Sequence, residues 1–176
     1  MKNQDLVVNK FIWGFLILGV IAITSCAVVT KPSCISWEFN KDGDSEGWQA
    51  GENTTLEVEN GNLTEKTTQT DDFWVDLNHL DIDATFYKSL EIRYLINSTD
   101  PSDIAYFYWA QTGDSQFSNN KRVKFNILTN NTWQDMSIDL SQIINWNGAI
   151  TGLRLYPAWF SNTGASVKYD YIRLCK

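Results

Sequence analysis

Past residue 33 no stretch of ten or more positions keeps a helical apolar period. Apolar and polar residues alternate instead in short runs bounded by Gly, Asn, Asp and Ser, which is the pattern of half-buried strands. It predicts strands over Cys34–Phe39, Thr55–Glu59, Asn62–Thr68, Phe73–Leu77, Ser89–Asn97, Ile104–Gln111, Arg122–Leu128, Trp133–Asp139, Thr151–Tyr156 and Val167–Leu174. Asn60-Gly61 stands between two alternating runs and marks a hairpin, because a type I′ turn needs positive φ at both central residues. Short helical turns are expected at Asp83–Tyr87 and Ser141–Ile144. Many short strands at regular spacing, with no internal repeat, read as an antiparallel β-sandwich rather than a propeller or solenoid.

Alternation also assigns faces, since successive strand side chains point to opposite sides. Leu153 and Leu155 point inward, so Arg154 and Tyr156 point out. Val123, Phe125 and Ile127 point inward, leaving Arg122, Lys124 and Asn126 outside. Phe73, Val75 and Leu77 leave Trp74 and Asp76 exposed. The run Ile104–Gln111 is apolar on both faces; burying Ala105, Phe107 and Trp109 exposes Tyr106 and Tyr108. A chain that opens and closes on strands is expected to pair them.

Composition agrees with a β-rich fold. Aromatics make up 14% of the chain, with only three Pro and two Met, and aromatic side chains fit pleated, half-buried surfaces. The formal charge is −7, a field that repels phosphate backbones and argues against nucleic-acid partners. Residues 1–25 read as a targeting element: Lys2 and Lys10 flank a polar start, followed by the apolar run Phe11 to Ile23. Ile23-Thr24-Ser25-Cys26 resembles a bacterial lipobox, in which the cysteine is lipidated and becomes the new N-terminus. The alternatives are an uncleaved anchor over residues 11–30, long enough to span a bilayer, and an ordinary cleaved signal. Each exports the domain to the cell envelope or surface. Residues 26–33 then form a tether, and 34–176 one sandwich domain, expected to be monomeric.

Three cysteines leave one odd. With Cys26 lipidated, Cys34 and Cys175 remain, just before the first strand and just after the last. If these strands are antiparallel neighbours with Cys34 opposite Cys175, Trp37 faces Ile172 and Phe39 faces Asp170. A bridge there would staple the termini and persist in an oxidising compartment; the alternative is two free thiols.

The segments WEFNKDGDSEGW, IDATFYKSLEIRYLIN, YFYWAQTGDSQFSNNKRVKFNI, WQDMSIDL, NWNGAITGLRLYPA and VKYDYIRL resemble carbohydrate-binding-module-like domains with the galactose-binding jelly-roll fold. The resemblance covers Trp37 to Leu174. It implies a jelly-roll sandwich and a non-catalytic carbohydrate ligand, a polysaccharide or glycan. Through the family topology it also gathers Trp74, Tyr106, Tyr108, Lys124, Arg154 and Tyr156 on one outer sheet face. Sugar C–H groups stack on aromatic faces, and charged forks hydrogen-bond hydroxyls. A loop-end site is the alternative, with Trp146, Trp159 and Phe160 as its aromatics. Two further readings of the same surface are a structural or adhesion protein and a small polysaccharide-active enzyme.

The acidic loop offers Asn40, Asp42, Asp44 and Glu46 at alternate positions, all hard oxygen ligands suited to Ca²⁺. An EF-hand is excluded, because position 12 counted from Asp42 is Asn53 and flanking helices are missing. The resemblance implies a structural Ca²⁺ between the first-strand region and a last-strand acid, with Glu38 or Asn40 and Asp170 as ligands. No catalytic residue is assigned. The only histidine, His79, is expected in a loop. Paired carboxylates for glycoside hydrolysis depend on separation in space, which sequence does not give.

Overall fold

The Asn60-Gly61 turn forms as its chemistry demands, with φ of 53° and 74° at the two positions. It joins β3 (Thr54–Glu59) to β4 (Asn62–Thr67) with Glu59 opposite Asn62. The structure is a computed structural model and describes residues 31–69, 73–98, 104–157 and 164–176. The remaining strands are β1 (Cys34–Trp37), β2 (Gln49–Ala50), β5 (Val75–Asp83), β6 (Ser89–Asn97), β7 (Ile104–Gln111), β8 (Arg122–Asn126), β9 (Gln134–Asp139), β10 (Ala149–Tyr156) and β11 (Ser166–Cys175). Pro32–Lys176 make one unit.

Two antiparallel sheets result. One runs β3-β4-β11-β6-β9, with β1 also on β11; the other runs β2-β5-β10-β7-β8. The last strand organises the first sheet. One of its edges is covered by β6, while the other is shared by β4 over Ser166–Tyr169 and β1 over Ile172–Cys175. The first-to-last pairing has the expected register: Cys34 opposite Cys175 and Trp37 opposite Ile172, with the two cysteines in a disulfide.

The register expected for Phe39 fails. Strand β1 stops at Trp37, and Phe39 turns away with φ of 52°. Asp170 has no register partner on β6, being the extra residue of a bulge between Tyr169 and Tyr171. A second irregularity in β5, around His79 with φ of 61°, carries the strand beyond the expected Leu77 to Asp83. His79 is therefore an exposed strand residue and not a loop residue. The expected helical turns at 83–87 and 141–144 are ordinary turns, and the two-residue β2 was not anticipated.

The inner faces meet in a core that includes Phe73, Val75, Leu90, Ile92, Phe107, Trp109, Leu153, Leu155, Ile172 and Leu174. Burial drives this arrangement, each such side chain being worth about 1.5–3 kcal/mol when removed from water. Among the described residues one acid is buried with them. Glu65 on β4 is fully buried; Tyr169 Oη donates to its Oε2 at 3.1 Å, and its Oε1 has no partner. Burial pushes its carboxyl well above the usual value, against the Tyr169 hydrogen bond and aided by the charge of Asp76.

Candidate functional site

Register across the second sheet converts the alternation of its five strands into two lateral rows. In the first, Gln49 lies opposite Asp76, Asp76 opposite Arg154, Arg154 opposite Tyr108 and Tyr108 opposite Arg122. In the second, Tyr156 lies opposite Tyr106 and Tyr106 opposite Lys124. All point outward because Val75, Leu77, Phe107, Trp109, Leu153 and Leu155 occupy the alternate, inward positions. Trp74, just before β5, joins the same face. The expected set Trp74, Tyr106, Tyr108, Lys124, Arg154 and Tyr156 is thus brought together.

The face has two parts. Over β5 and β10, Arg154 holds Asp76 with a two-pronged contact, Nε to Oδ1 at 2.6 Å and Nη2 to Oδ2 at 2.8 Å. Its guanidinium lies 4.5 Å from the Trp74 ring centre and 4.4 Å from that of Phe117, distances at which cations and aromatic faces attract. Trp74 Nε1 donates to Asp76 Oδ2 at 3.2 Å. A Cβ on Gly51 would fall 2.3–2.5 Å from three atoms of the Trp74 pyrrole ring, so the ring lies flat on the glycine backbone. Trp74 is therefore covered by Gly51 as well as by Arg154, and serves as a wall more than as an open platform.

Over β7 and β8 the rings are less enclosed. Tyr106, Tyr108 and Tyr156 form a triangle with centroids 6.0, 6.1 and 6.5 Å apart. Arg122 lies 4.4 Å from the Tyr106 ring centre, and its Nη1 donates to Tyr108 Oη at 3.0 Å. Lys124 is exposed.

The loop 112–121 forms the rim. Lys121 is buried, with Nζ 2.9 Å from the Asp114 carboxylate and donating to the Asp114 carbonyl at 2.8 Å. The hydrogen bond from Lys121 holds the Asp114 carboxyl below its ordinary value. Asn145 Nδ2 donates to Asn120 O at 2.7 Å and pins the end of the loop. Phe117, Ser118 and Asn119 then line an open depression with Trp74, Tyr108 and Arg154.

Two expectations are corrected. Trp146 is no loop-surface residue: it is 3% exposed, packs against Phe107 and Trp109, and donates from Nε1 to Tyr87 O at 2.8 Å. An indole with its N–H satisfied inside the core offers a ligand nothing. The acidic residues expected to hold Ca²⁺ have protein partners. Glu38 is gripped by Arg173 at 2.7 and 2.9 Å, and that hydrogen bond lowers its carboxyl. Asp42 accepts from Asn60 N, Asp44 from Glu46 N, and Asp170 pairs with Arg93 at 3.2 Å; Asn40 is exposed. Glu46 accepts from the N–H groups of Glu38 and Phe39. Asp42, Asp44 and Glu46 thus cap the loop, and among the described residues no three His, Cys, Asp or Glu form a ligand cluster. The second correction is the position of Asp170 in its bulge. Trp159 and Phe160, and Cys26 with the whole of 1–30, lie outside the described residues.

Sequence reasoning missed three parts of the site. Asp76 and Arg122 were legible as outward-facing, but their partners depend on register. Phe117 sits in a turn-rich segment with no period to read.

No protein-family model matches the sequence, and a search of curated proteins gives no match. Solved structures do share the sandwich. A variant of a family 29 carbohydrate-binding module complexed with mannohexaose is 12% identical, with a TM-score of 0.60 over 82% of this chain and 92% of that one. Another variant, complexed with cellulohexaose, is 11% identical with a TM-score of 0.56, covering 82% and 92%. A low-affinity xylan-binding module of family 86 from the gut symbiont Roseburia intestinalis is 9% identical with a TM-score of 0.52, covering 80% and 93%. At these identities the likeness is one of fold: this chain is an all-β sandwich of the kind those modules use.

Proposed function

We propose that this chain binds carbohydrate without catalysis, through the outer face of β5, β10, β7 and β8. The observation that carries the reading is the pair of lateral rows, which set three tyrosine rings between an Arg154–Asp76 fork and the cations Arg122 and Lys124. Rings on that scale give sugar C–H faces something to stack on. Arg122, Lys124, Ser118 and Asn119 supply donors for hydroxyls around them. The sandwich shared with modules solved with mannohexaose and cellulohexaose supports the same ligand class.

Binding is favoured over hydrolysis because glycosidases use two carboxyl groups flanking the bond. In the two rows, among the described residues, Asp76 is the one carboxylate, and Arg154 and Trp74 occupy it. We further propose that the domain is tethered outside the cytoplasm through a lipid on Cys26. The Cys34–Cys175 disulfide supports an oxidising location. Incorporation of labelled palmitate that Cys26→Ser abolishes would support the tether; incorporation that survives the substitution would refute it.

A glycan array tests the ligand. Wild-type protein should bind at least one polysaccharide class, and Tyr106→Ala with Tyr108→Ala should remove the signal while far-UV circular dichroism stays unchanged. Absence of any glycan signal from folded protein would refute the proposal. Specific retention of a protein partner through the same tyrosines would then favour the adhesion reading.

A further inference from the structure

The chain has four arginines. Three are closed by carboxylates: Arg93 by Asp135 and Asp170, Arg154 by Asp76, and Arg173 by Glu38. Arg122 alone has no carboxylate partner among the described residues, although the chain carries 21 acidic side chains against 14 basic ones. Lys124, two residues along β8, has none either. An acid excess makes pairing the easy outcome, so two adjacent unpaired cations on one ligand face call for an explanation.

Arg122 is also held ready. The Tyr106 ring lies against its guanidinium, and Tyr108 Oη takes one N–H. A guanidinium has five donors in a fixed fork that matches a carboxylate or sulfate in two-point contact, so most of them remain to be used. Arg122 and Lys124 project from the same face of β8 about 7 Å apart, the rise of two strand residues. Arg154, by contrast, spends its fork on Asp76 and is not available. Over the described residues the face therefore grades from a neutralised ion pair at β5 to a cationic, tyrosine-lined border at β8.

We infer that the glycan taken by this face is anionic, carrying carboxylate or sulfate groups that seat at Arg122 and Lys124 while its rings lie on Tyr106, Tyr108 and Tyr156. This deepens the carbohydrate reading and rests on it. Neutral sugars would need hydrogen-bond donors here but no uncompensated charge. An acidic polymer would need the charge, because it must approach a chain whose formal charge is −7. The Debye length of about 8 Å at physiological salt lets a local patch outweigh that distant repulsion.

The test measures retention of the full-length protein by immobilised polygalacturonate, dextran sulfate, dextran and mannan in affinity electrophoresis. The acidic polymers should be retained at least about tenfold more strongly than the neutral ones at low salt. That advantage should vanish near 1 M salt, where the Debye length falls to about 3 Å. The polygalacturonate and dextran sulfate arms tell carboxylate from sulfate. Arg122→Gln with Lys124→Gln should reduce acidic-polymer binding about tenfold, as expected for two partly exposed charge contacts. Lys168→Gln, on the other sheet, should leave binding unchanged, and equal melting temperatures would show that all variants fold. Equal loss in the Lys168 variant would mean generic polyanion attraction and overturn the inference. Retention on mannan or dextran alone would overturn the acidic class while leaving carbohydrate binding intact. Binding to none of the four, nor to any glycan of the array, would overturn both readings.

Discussion

The outer faces of the two sheets use the same materials differently. Each sets arginines against aromatic rings: Arg93 near Trp133 and Arg173 over Tyr171 on the first sheet, Arg122 and Arg154 over tyrosine, tryptophan and phenylalanine on the second. On the first sheet every arginine is closed by acids, and Tyr171 Oη donates to Asp135 as well. The second sheet closes Arg154 and leaves Arg122 and Lys124 with no carboxylate among the described residues. Pairing consumes donor capacity, and a face whose donors are spent has little left for a ligand. On the proposed carbohydrate reading, the difference leaves the first sheet to hold the fold and the second to meet the ligand.

Breaking the first sheet should cost stability and spare binding. The largest effect is expected from Cys34→Ser with Cys175→Ser. The bridge spans 141 residues, and closing so long a loop stabilises by about 3–5 kcal/mol in the chain-entropy picture. Chemical denaturation should show a loss of that size. Glycan affinity should be unchanged in whatever remains folded.

Glu65 comes next. Its folded-state pKa is raised, so the folded protein holds this proton more tightly than the unfolded chain. The stability it permits is complete below the unfolded value of 4.5 and declines as pH rises through the folded value. Glu65→Gln keeps an acceptor for Tyr169 and cannot ionise. It should flatten this decline and raise stability by about 1–3 kcal/mol at the alkaline end, the scale of a mispaired buried polar group. Urea midpoints measured between pH 4 and 9 check it; a variant and a wild type that decline in parallel would contradict the assignment.

A matched pair sharpens the contrast between faces. Arg93→Gln leaves Asp135 and Asp170 without their cation and should cost up to about 1 kcal/mol of stability, with no change in glycan retention. Arg122→Gln should do the reverse. If both changed the same quantity, the division of labour would collapse.

The smallest effect expected is at Glu38. The Arg173 hydrogen bond lowers its carboxyl, so its contribution is present above the unfolded value of 4.5 and is lost as pH falls through the folded one. Both side chains are about one-third exposed, which limits the term to about 0.5 kcal/mol. Glu38→Gln should remove it near pH 7 and make no difference in strong acid.

Much of this architecture follows from local rules. A period of two places Arg154 and Tyr156, Tyr106 and Tyr108, and Trp74 and Asp76 on outward faces before any register is known. Asn60-Gly61 specifies its turn by backbone conformation alone. Trp37 opposite Ile172 follows once Cys34 and Cys175 are set across from each other. The acidic loop shows where local rules stop. Asp42, Asp44 and Glu46 have ligand spacing, yet each takes a backbone N–H because loop amides left without a ladder must be satisfied. Trp146 shows the same limit from the other side: its segment reads as a loop, but the ring packs in the core against Phe107 and Trp109.

The sequence by itself determined which side chains would share a face, because strand geometry is local. Tertiary structure decided which of them would be neutralised. Arg154 and Asp76 are 78 positions apart and Arg173 and Glu38 are 135 apart. Their meeting depends on strand order and on bulges that no local pattern encodes. The same long-range register leaves Arg122 beside Lys124 with tyrosines and, among the described residues, no carboxylate partner, and so decides what this face has left to offer.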